Sequence, residues 1–149
     1  MRKLKNQLNQ MINFTYNYEK FKLKDEKIYS SWLHGVIEAE GFLPGEIHYV
    51  FCTDTSLLSI NEQYLDHHDY TDIITFSLSE VPKIIRGEIY ISVDRVKENA
   101  TLNDVLFEKE LARVLVHGVL HLVEYDDHTE DEKTIMRTKE DYYIDLLPR

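Results

Sequence analysis

Two histidines four residues apart, His117 and His121, lie in the stretch VLVHGVLHLV over 114–123, where every other residue is apolar or glycine. On a helix that spacing puts both imidazoles on one face, one turn apart. A helix that is apolar all round is a buried one. Two buried imidazoles without partners would cost on the order of several kcal/mol. Hydrogen-bonded core histidines are the plain alternative, but a pair at this spacing favours a shared divalent metal. Zinc suits it best, because neutral imidazole nitrogens bind zinc at ~2.0–2.1 Å. Gly118, between the two, costs about 1 kcal/mol of helix propensity relative to alanine. That position therefore implies the close approach of a strand or a substrate.

Immediately downstream, 124–129 reads EYDDHT. Asp126, Asp127 or His128 can turn back to complete a set of three ligands. Three protein ligands and one open position is the catalytic arrangement of zinc, whereas closed structural sites use four. With Cys52 the lone cysteine, a thiolate-type closed site is excluded. Water at an open zinc position has a pKa near ~7 and provides hydroxide for hydrolysis at neutral pH. The metalloprotease helix HExxH carries its general-base glutamate directly after the first histidine. Here that residue is Gly118, which argues against a peptidase of that type.

The elements that must position these groups follow from periodicity and punctuation. A short first strand is predicted around 14–18. A helix over 25–40 carries Ile28, Trp32, Val36, Ile37 and Ala39 on one side, and Gly41 and Pro44-Gly45 make the turn after it. The segment 46–53 alternates, with Ile47, Tyr49 and Phe51 on one face of a strand. Asp54 or Thr55 caps a helix that runs to about 65. The run 72–76 is short and β-branched and reads as a strand buried on both faces. A further strand spans 87–92. Helices follow over 93–101, 105–123 and 129–147, the last opening on a Thr129…Glu132 capping-box pattern. The fold class expected is α/β (α+β): a small mixed sheet of about four strands packed with about five helices, the metal site on a helix of the C-terminal half.

At 149 residues a single domain over 1–149 is expected. No apolar run approaches the ~18–20 residues that span a bilayer, and the basic start lacks the apolar stretch of a secretory signal. With no disulfide possible, a cytoplasmic protein fits. The formal net charge is −10, which repels nucleic acid and anionic membranes in bulk. A nucleic-acid substrate therefore needs a local basic patch, from the first 27 residues or from Lys83, Arg86 and Arg113.

The segment HGVLHLVEYDDH over 117–128 resembles the signature H-G-x-L-H-L-x-G-Y-D-H of the YbeY family, metal-dependent endoribonucleases of bacterial ribosomal RNA maturation. Asn61, Tyr64 and the TDIITF run over 71–76 are similar to that family's N-x-x-Y-R…P-T-D/N-V-L-S-F, and GEIYI from Gly87 is similar to its G-D-I strand. The match in order and spacing runs from about residue 25 to the end. The resemblance implies a small α/β domain with one zinc per chain held by three histidines at the mouth of a cleft. It implies a single-strand-specific endoribonuclease working on the 3′ end of 16S rRNA and in ribosome quality control, with rRNA and ribosomal subunits as partners and no membrane.

Three positions depart from the signature. The third histidine falls at Asp127, with His128 one residue later. His128 is expected as the ligand through a one-residue insertion, with Asp127 as the alternative. The family arginine, which would hold phosphate through a bidentate pair, is Leu65; His67, His68 or Arg86 are the candidates to replace it. The family glycine before the tyrosine is Glu124, so a tighter or reshaped turn is expected there. A metallohydrolase of other specificity, or a ribosome-assembly module with a structural metal, are the competing readings. Of the remaining polar groups, Asp72 caps a strand end or shapes the cleft, and the His67-His68 pair is a solvated loop, a substrate contact or a second metal site. Trp32 belongs to the core, and most of the ten tyrosines are packing residues.

Overall fold

The computed structural model describes residues 11–65 and 71–148. In chain order its elements are β1 (Ile12–Tyr16), α1 (Glu26–Ala39), β2 (Leu43–Cys52), α2 (Asp54–Leu65), β3 (Ile73–Ser77), β4 (Ile84–Ser92), α3 (Val93–Leu102), α4 (Phe107–Leu122) and α5 (Glu130–Asp145). The four strands form one mixed sheet in the order β1-β2-β4-β3. β1, β2 and β4 are parallel, and β3 returns antiparallel to β4. Parallel neighbours need long crossovers, and α1 provides the first of them. Among the described residues, the α/β class and the four strands and five helices expected from periodicity are present.

Alternation in β2 does what the pattern requires: Ile47, Tyr49 and Phe51 are fully buried, as are Ile89 and Ile91 of β4. They join Leu33, Val36 and Ile37 of α1 and Leu115, Val119 and Leu120 of α4 in the main core. A smaller cluster of Cys52, Leu57 and Ile74 lies beneath α2. Trp32 belongs to the core, and its indole N–H donates to the Tyr143 carbonyl at 2.8 Å. The Tyr49 hydroxyl, also buried, donates to the Leu115 carbonyl at 2.7 Å and ties the sheet to α4.

Several boundaries move. β1 begins two residues before its predicted start. β2 runs back through Pro44 and Gly45, where the pairing with β4 shifts register in place of the expected turn; a bulge accommodates the proline. The cap of α2 is Thr53, whose hydroxyl accepts from the Ser56 amide at 3.1 Å. β3 is the sheet's edge rather than an interior strand, with Ile74 its one fully buried residue. Its apolar side chains serve both faces, Ile73 towards α4 and Ile74 towards α2, which gives the run its interior look.

Gly118 has a definite neighbour. A Cβ there would come within 2.9 Å of Ile89 and 3.1 Å of Ile73. The close approach inferred from the sequence is therefore that of the sheet, and it lets α4 lie directly on β4 and β3. Among the described residues no helix is long and apolar enough to cross a membrane.

Candidate metal centre

α4 is buried along most of its length, and its two half-buried histidines open onto a cavity of about 770 Å³. The rings of His117 and His121 meet edge to face, with centroids 4.6 Å apart. Asp127 brings Oδ2 to 3.4 Å from His117 Nε2 and 3.5 Å from His121 Nε2. One donor atom from each of the three lies within 4.8 Å of the others. Two imidazole nitrogens and one carboxylate oxygen are a donor set that zinc accepts, with room for a fourth ligand.

His128 lines the same cavity but is exposed and stands outside this group of three. The backbone after α4 explains why. The Glu124 amide donates to the His121 carbonyl and the Tyr125 amide to the Leu120 carbonyl, both at 3.0 Å, closing a Schellman turn. Glu124 occupies the left-handed position of that turn with φ +80°. A glutamate thus adopts the left-handed conformation that glycine favours. Asp127 then reaches the two imidazoles, and His128 follows it, next to the Thr129 cap of α5.

α5 adds the residue the sequence reading missed. Thr129 and Glu132 form the expected capping box, which sets the phase of the helix. Met136, Glu140 and Tyr143 then face inward and are buried. Glu140 holds His117 Nδ1 at 2.6 Å and accepts from Arg113 at 2.9 Å. Because a carboxylate only accepts, His117 Nδ1 carries the proton and Nε2 is left for the metal. Arg113 is committed on its other side to Asp141 at 2.6 Å. The signal for Glu140 was present in the sequence: a glutamate at an inward position between Met136 and Tyr143.

The two imidazoles titrate differently. Burial opposes charging of His117, but the hydrogen bond and charge of Glu140, with Asp127 and Asp72, outweigh it and raise its pKa. Burial and the neighbouring His117 lower that of His121. Burial also raises the carboxyls of Asp72 and Glu110, which line the same cavity. Asp72 therefore shapes the cleft, and its carboxylate accepts from the Asn99 amide at 3.4 Å.

Of the cations considered as a basic patch, Arg113 alone is among the described residues lining the cavity. Arg86 pairs with Glu46 and Glu80, and Lys83 sits over the Phe42 ring. Leu65 does line the cavity, so an apolar side chain stands on its wall at that position. His67 and His68 lie outside the described residues.

The chain is similar to known proteins along most of its length. A family model described as Endoribonuclease YbeY matches residues 3–147. Among similar curated proteins, the endoribonuclease YbeY of Flavobacterium johnsoniae is 47% identical over 137 residues, 92% of this chain and 97% of that protein. Its counterpart in Flavobacterium psychrophilum is 46% identical over 137 residues, covering 92% and 96%. The solution structure of TM1509 from Thermotoga maritima superposes with a TM-score of 0.59 at 27% identity, covering 91% of this chain and 88% of that one.

Proposed function

Because this chain belongs to the endoribonuclease YbeY family, we propose that it is a single-strand-specific, zinc-dependent endoribonuclease. Its family acts in rRNA maturation, and the reading extends to the 3′ end of 16S rRNA and to quality control of ribosomes, in the cytoplasm and in contact with ribosomal subunits. His117, His121 and Asp127 hold one zinc per chain. His128 stays on the cavity wall, where it meets substrate rather than metal.

The observation that carries the metal assignment is the convergence of three donors at a cavity, with the first histidine locked by buried Glu140. Zinc, when bound, supplies Lewis acidity toward water and a phosphoryl oxygen. The chain's own residues do the rest. Glu140 keeps the His117 proton on Nδ1 and presents Nε2 to the ion. Arg113 neutralises Glu140 and fixes its rotamer through the second bond to Asp141. The Schellman turn at Glu124 delivers Asp127 to both imidazoles. Gly118 lets α4 press on the sheet, leaving no room for a glutamate of the protease type at that position.

The test is metal analysis joined to cleavage. Full-length protein is expected to carry about one equivalent of zinc and to cut single-stranded RNA bearing the 16S 3′ end. Chelated protein should be inactive and regain activity with added zinc. If metal-free protein cuts as fast as the loaded form, the assignment fails.

A further inference from the structure

RNA is a polyanion and this chain carries a formal net charge of −10, so the strand has to be held by particular cations rather than by the general field. Among the described residues, four carboxylates and two guanidinium groups face the cavity: Asp72, Glu110, Asp127, Glu140, Arg113 and Arg137. Arg113 is held on both sides, by Glu140 at 2.9 Å and Asp141 at 2.6 Å. Its charge is spent within the protein. The two lysines of α5 are also engaged: Lys139 with Glu40, and Lys133 with Glu130. Arg137 is in no ion pair within 4.0 Å among the described residues; its charge acts on Glu110, which lines the same cavity.

Its placement on α5 is informative. Arg137 lies three residues before Glu140, so the two are neighbours on the helix surface. Glu140 is buried against His117, whereas Arg137 is exposed and lines the cavity at its rim. A guanidinium there, with five donors in a planar fork, is the group best suited to grip a phosphate.

Building on the endoribonuclease reading above, we propose that Arg137 binds a backbone phosphate of the single-stranded RNA, one flanking the phosphate that is cleaved. Its charge serves substrate and ground-state binding. The chemistry stays with the groups deeper in the cavity.

Zinc-loaded, full-length protein is assayed with a fluorescent single-stranded RNA, following cleavage and, by anisotropy, binding across a salt series. Arg137→Gln should raise KM about five- to tenfold with kcat little changed, as loss of uniform binding does. The slope of log affinity against log salt should fall by about 0.7, the loss of one single-strand phosphate contact. Arg137→Lys should restore the slope and part of the affinity. Lys133→Gln removes the same charge from the same helix outside the cavity, and should change neither quantity. Arg137→Gln behaving like wild type, or like Lys133→Gln, overturns this assignment while leaving the endoribonuclease reading intact. Wild-type protein that neither binds nor cuts the RNA overturns both.

Discussion

The helices α1 and α4 end in the same backbone geometry but with different residues at the critical position. After α1 the Gly41 amide donates to the Glu38 carbonyl and the Phe42 amide to the Ile37 carbonyl, at 3.0 and 3.1 Å. After α4 the Glu124 and Tyr125 amides repeat that pattern onto His121 and Leu120. In each case the apolar residue beyond the turn packs back on the helix, as Schellman turns require. Gly41 has φ +87° and Glu124 has φ +80°. Glycine adopts that conformation freely, whereas an L-residue there costs about 1–2 kcal/mol. The end that tolerates the strain is the end that aims Asp127 at the histidines, where backbone strain is commonly stored.

The two ends are also joined. Glu40 is the C-cap residue of α1, and its carboxylate accepts from the hydroxyl of Tyr125, the residue just past Glu124, at 2.6 Å. Lys139 at 3.1 Å and the Tyr143 hydroxyl complete its partners. The unstrained end thus anchors the strained one.

The comparison breaks most severely if the strained end loses what it delivers. Asp127→Ala should abolish stoichiometric zinc binding and cleavage, whereas His128→Ala should retain zinc. Titration of both variants with zinc against a competing chelator decides between them, and the reverse ranking would return the ligand role to His128. Glu140→Gln acts on α4 without touching either turn. It removes the charge that orients His117 and should weaken zinc about 10- to 100-fold, the usual range for a group hydrogen-bonded to a ligand. An unchanged affinity would mean that the turn alone assembles the site.

Glu40→Gln cuts the link between the ends. Burial opposes ionisation of Glu40, but the bonds from Tyr125, Tyr143 and Lys139 prevail and hold its pKa below the usual carboxylate range. A carboxylate with a lowered folded pKa stabilises above its unfolded value, near ~4.3, and that contribution is lost as pH falls through the folded pKa. Wild type should therefore exceed Glu40→Gln by about 1–3 kcal/mol at pH 7. Urea melts at descending pH should show the gap closing below about pH 4. A gap independent of pH would assign the effect to packing.

These residues also mark what was legible before any coordinates. The histidine pair, the faces of α1 and β2 and the capping box of α5 were legible because each depends on periodicity within one element. Which donor lies beside the pair was not, because that depends on whether Glu124 accepts a left-handed φ. The sequence offered His128 through a one-residue insertion or Asp127 without one, and the chemistry of zinc accepts either. Glu140 and Arg137 were missed for another reason. The pattern marks Glu140 as inward-facing, but only the packing of α5 against α4 shows that it, like Arg137, reaches the cavity. β3 misled because its apolar side chains cover two faces while its backbone lies at the edge.

The mildest test addresses the turns directly. At Gly41 a Cβ would have open space, with no atom within 4 Å, so Gly41→Ala carries the dihedral cost of about 1–2 kcal/mol, offset by about 0.5–1 kcal/mol of lost unfolded freedom. Glu124→Gly is the mirror experiment. It relieves the same strain but admits the extra unfolded freedom of glycine, worth about 0.5–1 kcal/mol. The net gain should match the net loss at Gly41, about 0.5–1 kcal/mol. Both follow from urea midpoints at unchanged slope. Because the turn already has the shape that glycine prefers, zinc affinity should not move in Glu124→Gly. If that variant gains stability but loses zinc, the glutamate side chain rather than the turn is what places Asp127, and the likeness of the two helix ends is confined to the backbone.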